Sequence, residues 1–222
     1  MPSPKMEIAE AILVVRQFAG EDFRAGIAAL QHSIAGANCR LCEEVATRAG
    51  VEDRLLCAAY TIKKATGRIH EVIHAAGMLA IIPKILSPDE VVECVSLAAG
   101  NLRDGFDLVT NKRVAEFKFI TWKGGAEAMR HKSLFKDFFG LAEESSNRRK
   151  ELYVLGTAAA DKLLRSNQAI ESLTSKHKKV AKAFRQKYPN RFSTVGEYFA
   201  EVGHRVEVID ASPLVPELTT LA

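Results

Sequence analysis

Residues 106–119, FDLVTNKRVAEFKF, restrict what this chain can fold into more than any other stretch. Val109, Val114, Phe117 and Phe119 suit a half-buried strand. Asn111-Lys112 between them offers a two-residue turn, because Asn tolerates positive φ. A turn there pairs Thr110 with Arg113, Val109 with Val114 and Leu108 with Ala115. The next pair outward is Asp107 with Glu116, two carboxylates whose Cβ atoms would lie about 5 Å apart across the ladder. Lys118 projects from the same face as Glu116, since side chains two apart in a strand share a side. Ala115, Phe117 and Phe119 fall on the other face and can pack into a core.

The rest of the chain places this hairpin in a mixed α/β domain. Residues 5–66 divide into helix-length segments ending at Gly20, Gly36, Gly50 and Gly67, as helix C-termini prefer. Their spacing predicts successive antiparallel helices, without enough similarity to be repeats. RIHEVIHAAGMLAIIPKIL predicts another helix ending at Pro83, with Ile69, Val72, Ile73 and Leu79 set to face a sheet. SPD at 87–89 reads as a turn, and EVVECVSLAAGN as a strand bounded by Gly100 and Asn101. After the hairpin comes a helix with Met129, Leu134, Phe138 and Leu141 on one side. ELYVLG at 151–156 reads as a strand. Residues 157–188 read as helical with a break near Ser166, TVGEYFAEVG as a short helix, and RVEVIDASPLV as a last strand. The expected division is 1–67, an all-helical N-terminal extension, and 68–222, an α/β domain.

Composition narrows the function classes. With 222 residues, 47% hydrophobic, the chain can bury a core without disulfides or structural metal. CRLC at 39–42 has the spacing of half a zinc site, but no second CxxC or spaced His pair follows. Cys39 and Cys42 are therefore expected as ordinary, partly buried thiols, and Cys39, Cys42, Cys57 and Cys94 together show no disulfide framework, which fits a reducing, cytoplasmic compartment. No apolar run reaches the ~18 residues of a membrane span, and MPSPKMEIAEAILVV lacks a small-residue cleavage site. Neither a membrane nor a signal peptide is expected. The net charge of +4 is modest, but Lys176, Lys178, Lys179, Lys182, Arg185, Lys187 and Arg191 run together without an acid between them. That stretch reads either as a solvated helix face or as a surface for phosphates.

Two carboxylates directly opposed across a ladder repel. A hard divalent cation offsets that repulsion, because Mg²⁺ accepts carboxylate oxygens while keeping several waters. A lysine beside it can orient an attacking water, and together these groups outline metal-assisted phosphodiester hydrolysis. Taken singly, each of the three charges fits a solvated strand face. Asp, then Glu-x-Lys at strand spacing and after another strand, fits a site.

The stretch resembles the signature of the PD-(D/E)XK nuclease superfamily. Asp107 matches the first acid, and EFK supplies Glu116 and Lys118. The element order over residues 68–156 (helix, three-strand meander, helix, strand) is also similar to the superfamily's restriction-endonuclease-like core. Phe106 stands where the motif's proline would be. The resemblance implies a Mg²⁺- or Mn²⁺-dependent nuclease, an endonuclease or exonuclease, with DNA expected before RNA. It implies Asp107 and Glu116 as metal ligands, Lys118 as the residue that positions water, and Glu71 of the preceding helix as an assisting acid. Glu71 also reads as a solvent-facing residue, and His74, on the same helical face, as its polar neighbour rather than a ligand. Arg130, Lys132 and Lys136 on the following helix, with Lys178, Lys179 and Lys182, are expected to contact phosphates. Trp122, just past the strand, reads as core packing or a base-stacking ring, with Lys123 beside it. A second reading keeps the fold but not the catalysis: a nucleic-acid-binding subunit. In either, the N-terminal helices are a surface for a protein partner or a second copy of the chain.

Overall fold

The computed structural model describes residues 6–36, 38–51, 53–97, 105–119 and 127–220. Trp122 and Lys123 lie outside them, as do Gly100 and Asn101. The chain forms two compact units, residues 1–70 and 71–222.

The first unit is helical: α1 (Ile8–Ala19), α2 (Phe23–Ile34), α3 (Cys39–Arg48) and α4 (Asp53–Thr66). Asp22 and Asn38 cap α2 and α3 by accepting from the N–H groups of Ala25 and Leu41. Gly20, Gly36 and Gly50 follow three of the helices with positive φ, the conformation that favours glycine there. α1 packs on α4 with Ala11 and Ala58 fully buried. Much apolar surface stays in water, with Leu13, Leu56 and Tyr60 each about two-thirds exposed. Cys39 is exposed rather than partly buried, Cys42 is half-buried, and both are free thiols on α3.

The second unit takes in all but the first two residues of α5 (Ile69–Ile85), followed by β1 (Val92–Val95), β2 (Leu108–Thr110) and β3 (Arg113–Lys118). Then come α6 (Glu127–Ala142), β4 (Arg149–Val154), α7 (Thr157–Leu164), α8 (Ile170–Thr174), α9 (Lys178–Lys187), α10 (Val195–Val202), β5 (Glu207–Asp210) and α11 (Glu217–Thr220). The strands form one mixed sheet in the order β1-β2-β3-β4-β5, antiparallel as far as β3 and parallel from β3 to β5. The β2–β3 register pairs Leu108 with Ala115 and Val109 with Val114, as a turn at Asn111-Lys112 requires.

Strand alternation divides the core in two. Leu108, Ala115, Phe117 and Tyr153 pack on one face against Met78 and Ile81 of α5. Val109, Val114, Leu152 and Val154 pack on the other against Leu134, Phe135 and Phe138 of α6 and against α7–α10. Both parallel crossovers move in the same direction across the sheet, so the handedness rule puts their helices on the same face. At the start of β3 the buried Arg113 donates to Glu90, Glu151, Tyr153 and the Ile85 carbonyl. This network is fully partnered and structural, and the hydrogen bond from Arg113 holds the Glu90 carboxyl down to about 2.

Five sequence expectations need correction. α5 runs through Pro83 to Ile85, because a proline in the last turn costs one main-chain bond with only two residues left to follow. Its sheet-facing stripe is Met78, Ile81 and Ile85, while Ile69, Val72 and Leu79 are exposed and Ile73 is half-buried. The helix is apolar around most of its circumference, so periodicity could not choose the face. Gly77 chooses it: a Cβ there would lie 2.5 Å from Phe119 Cε2. The helical stretch after β4 breaks twice, at 165–169 and again at 175–177. At the second break Thr174 turns its hydroxyl back onto the Ile170 carbonyl. Finally, β1 and β5 are four residues each, shorter than expected, and Met129 is exposed while Leu134, Phe138 and Leu141 are buried. Among the described residues no helix is long and apolar enough to cross a membrane.

Candidate active site

The carboxyl end of β3 is where the two faces of the sheet meet in chemistry. Glu116 and Lys118 share the face that carries α6, as the strand period dictates. Asp107 stands just before β2, and its Oδ2 accepts from the Phe117 N–H at 2.9 Å. That bond fixes the carboxylate beside Glu116, the residue that precedes Phe117 in β3. From the opposite face α5 brings His74, whose Nε2 is 3.5 Å from Asp107 Oδ1. Phe119 packs under the imidazole with ring centroids 5.9 Å apart.

A fourth charged group completes the cluster, and the sequence reading missed it. Asp137 of α6 has a fully buried side chain, with Oδ2 2.7 Å from Lys118 Nζ and Oδ1 3.0 Å from Lys136 Nζ. Neither oxygen has a hydrogen bond of good geometry. The signal was present: Asp137 sits among Leu134, Phe135, Phe138 and Phe139, a buried apolar run in which a carboxylate needs a partner.

The electrostatics follow from this crowding. Burial first, then the charges of Asp137 and Asp107, push the Glu116 carboxyl far above the usual carboxylate range. Glu116 therefore holds a proton at neutral pH and donates it towards Asp107. Burial pushes the Asp107 carboxyl up, but the hydrogen bonds from His74, the Phe117 N–H and Glu116 outweigh it and hold the group below its ordinary value. Burial pulls the Lys118 ammonium down, yet the charge and hydrogen bond of Asp137 outweigh that, so Lys118 stays a cation and a donor. A lysine so held can stabilise negative charge and orient a water, but it is a poor proton acceptor.

The structure brings Asp107, Glu116 and Lys118 together. Glu71 is half-buried and lies one turn before His74, on the stripe of α5 that carries His74, Met78 and Ile81. The basic residues divide. Lys136 is drawn into the cluster by Asp137, and Lys132 donates to Ser175 at 2.9 Å, so neither stands on a simply solvated face. Arg130 is half-buried on the first turn of α6. Lys178, Lys179 and Lys182 are exposed on α9.

The chain matches no protein-family model, no curated protein and no solved structure.

Among the described residues, no three His, Cys, Asp or Glu side chains form a ready cage for a metal ion. A two-carboxylate site does not need one, because Mg²⁺ is held by one or two carboxylates and fills its other positions with water. The donor set fits such an ion on one observation. Asp107 and Glu116 are adjacent, largely buried, and reconciled here only by a proton that Glu116 would not carry in water. A divalent cation can replace that proton; the soft or imidazole-rich donors that favour zinc or copper are lacking at this pair.

Proposed function

We propose that the chain is a divalent-metal-dependent phosphodiester hydrolase acting on DNA, with a restriction-endonuclease-like core. The observation that carries the reading is the convergence of Asp107, Glu116 and Lys118 at one sheet end, where the Asp107 carboxylate accepts from the N–H of Phe117, the residue between Glu116 and Lys118. A module that only binds nucleic acid has no need to bury opposed acids. The order α5, β1–β3, α6, β4 supports the core assignment, since the acids and the lysine then fall at the carboxyl end of β3 beside a crossover helix.

Asp107 and Glu116 would hold Mg²⁺ or Mn²⁺, which when bound polarises a phosphoryl oxygen and makes water more acidic. The protein's own groups do the rest. The Phe117 N–H and His74 fix the Asp107 carboxylate, so its orientation is set before any ion arrives. Lys118, held protonated, faces the same edge and offsets charge that builds on the phosphate oxygens. Asp137 aims the Lys118 ammonium, and its pairing with Lys136 keeps a second cation at the rim. Glu71, on the His74 side of α5, assists by accepting from a water near the ion. Affinity would come from phosphates, met by Lys136 at the rim and by the exposed lysines of α9.

The test is cleavage of plasmid and linear DNA by the purified protein with Mg²⁺ or Mn²⁺, beside Lys118→Ala and an EDTA control. The proposal expects metal-dependent cutting that falls at least about a hundredfold in the variant, the scale of losing one positioned charge-stabilising donor. Equal cutting by both proteins would mean a contaminant, and no cutting by the wild type would leave the non-catalytic reading.

A further inference from the structure

We propose that the groove between α8 and α9 is a backbone-holding subsite for duplex DNA, continuous with the carboxylate cluster through α6; the inference rests on the nuclease reading above. The groove has a volume of about 500 Å³ and is lined by Thr174, Ser175, Lys178, Lys182, Arg185 and Gln186. Lys178 and Lys182 are one helical turn apart, exposed, and have no acidic partner among the described residues. Arg185 lies on the same side one turn further, but Glu171 at 3.0 Å offsets its charge.

Ser175 joins this groove to the site. Its hydroxyl lies 2.9 Å from Lys132 Nζ on α6. One turn along α6 stands Lys136, which meets Asp137, whose other oxygen takes Lys118. Ser175 and Asp137 thus link the groove with Lys178 and Lys182, by way of Lys132 and Lys136 of α6, to Lys118 beside the carboxylates. Along α9, Lys178 to Arg185 spans about 10 Å of helix axis. That is about three phosphate steps of one DNA strand.

Two features select a duplex over a single strand. Single-strand channels add aromatic side chains on which bases stack. No aromatic side chain lines this groove, and none of those described within residues 71–220 is exposed. What the groove offers is charge at a regular spacing, which suits the phosphates of a stacked helix and carries no base information. Arg148, Arg149 and Lys187 each meet a carboxylate, whereas Lys178 and Lys182 of the groove meet none among the described residues.

The test is fluorescence anisotropy of a labelled 30-base-pair duplex and the matching single strand, in EDTA so that nothing is cut, across a series of salt concentrations. The wild type should prefer the duplex. Lys178→Ala with Lys182→Ala should lower the slope of log K against log salt by about two, one for each phosphate that is no longer neutralised. Glu171→Gln should do the opposite, raising the slope by about one by releasing Arg185. Circular dichroism checks that the folds are kept. An unchanged slope in the double variant, equal affinity for the single strand, or binding to anionic lipid vesicles in place of DNA would overturn the subsite. Duplex binding with the expected slopes but no cutting in Mg²⁺ would overturn the nuclease reading and leave the groove. Cutting with unchanged slopes would do the reverse.

Discussion

Glu116 carries its proton in the folded chain at neutral pH because burial and the charges of Asp137 and Asp107 act in one direction. A carboxyl whose folded pKa is raised binds more protons folded than unfolded, so its contribution to stability falls as pH rises above the ordinary glutamate value. Glu116→Gln keeps the size and hydrogen-bond donor while removing the ionisation. Urea unfolding should find it close to wild type at pH 4, then increasingly more stable, by at most about 1.4 kcal/mol per pH unit, towards pH 8. Asp107 has the opposite sign: its contribution is present above its ordinary value and lost as pH falls through the depressed one. Asp137→Asn should be costly, about 3–5 kcal/mol in the same measurement, because it leaves the buried Lys118 ammonium without its partner. Replacing both, Lys118→Met with Asp137→Leu, should recover most of that loss. Asp107, Glu116 and Lys118 were legible as neighbours because a strand repeats every two residues and the turn at Asn111 fixed the register. Asp137 was not, since the helical position that meets Lys118 depends on how α6 lies across β3, and no local pattern states that.

At the scale of elements, α5 shows where pattern reading stops. Its existence and rough extent were plain, but apolar residues surround it and its working face was misassigned. The face is set by Gly77, where the helix backbone approaches Phe119 too closely for a side chain. Gly77→Val should therefore cost about 1–3 kcal/mol by overpacking. It should also weaken metal binding, because a displaced Phe119 no longer supports the imidazole that meets Asp107. Thermal melts with and without Mg²⁺ separate the two effects: the variant should lose both stability and part of the metal-induced rise in Tm. Strand ends were less legible than strand centres. β5 stops at Asp210 because its carboxylate turns to accept from the N–H groups of Ser212 and Gly156, an event of the side chain rather than of hydropathy.

For the whole molecule, the α/β class and the helical first unit could be read from sequence, because glycine-ended helices and a β-branched meander differ in period. The strand order could be read only in part: hairpins follow from short turns, but the positions of β4 and β5 depend on crossovers packing helices against the far face. At the centre of the proposed site, Asp107 and Glu116 would take one divalent ion in exchange for the proton between them. An ion that binds only the folded state should raise the Tm of the whole chain, and the rise should grow with its concentration. The most direct check is calorimetric titration of the purified protein with Mg²⁺ at pH 7, in two buffers of different ionisation enthalpy, beside Asp107→Asn. One ion should bind with release of about one proton, and binding should be abolished or strongly weakened in the variant. Mg²⁺ binding without proton release, unchanged affinity in Asp107→Asn, or no binding of Mg²⁺ or Mn²⁺ at all would contradict the exchange.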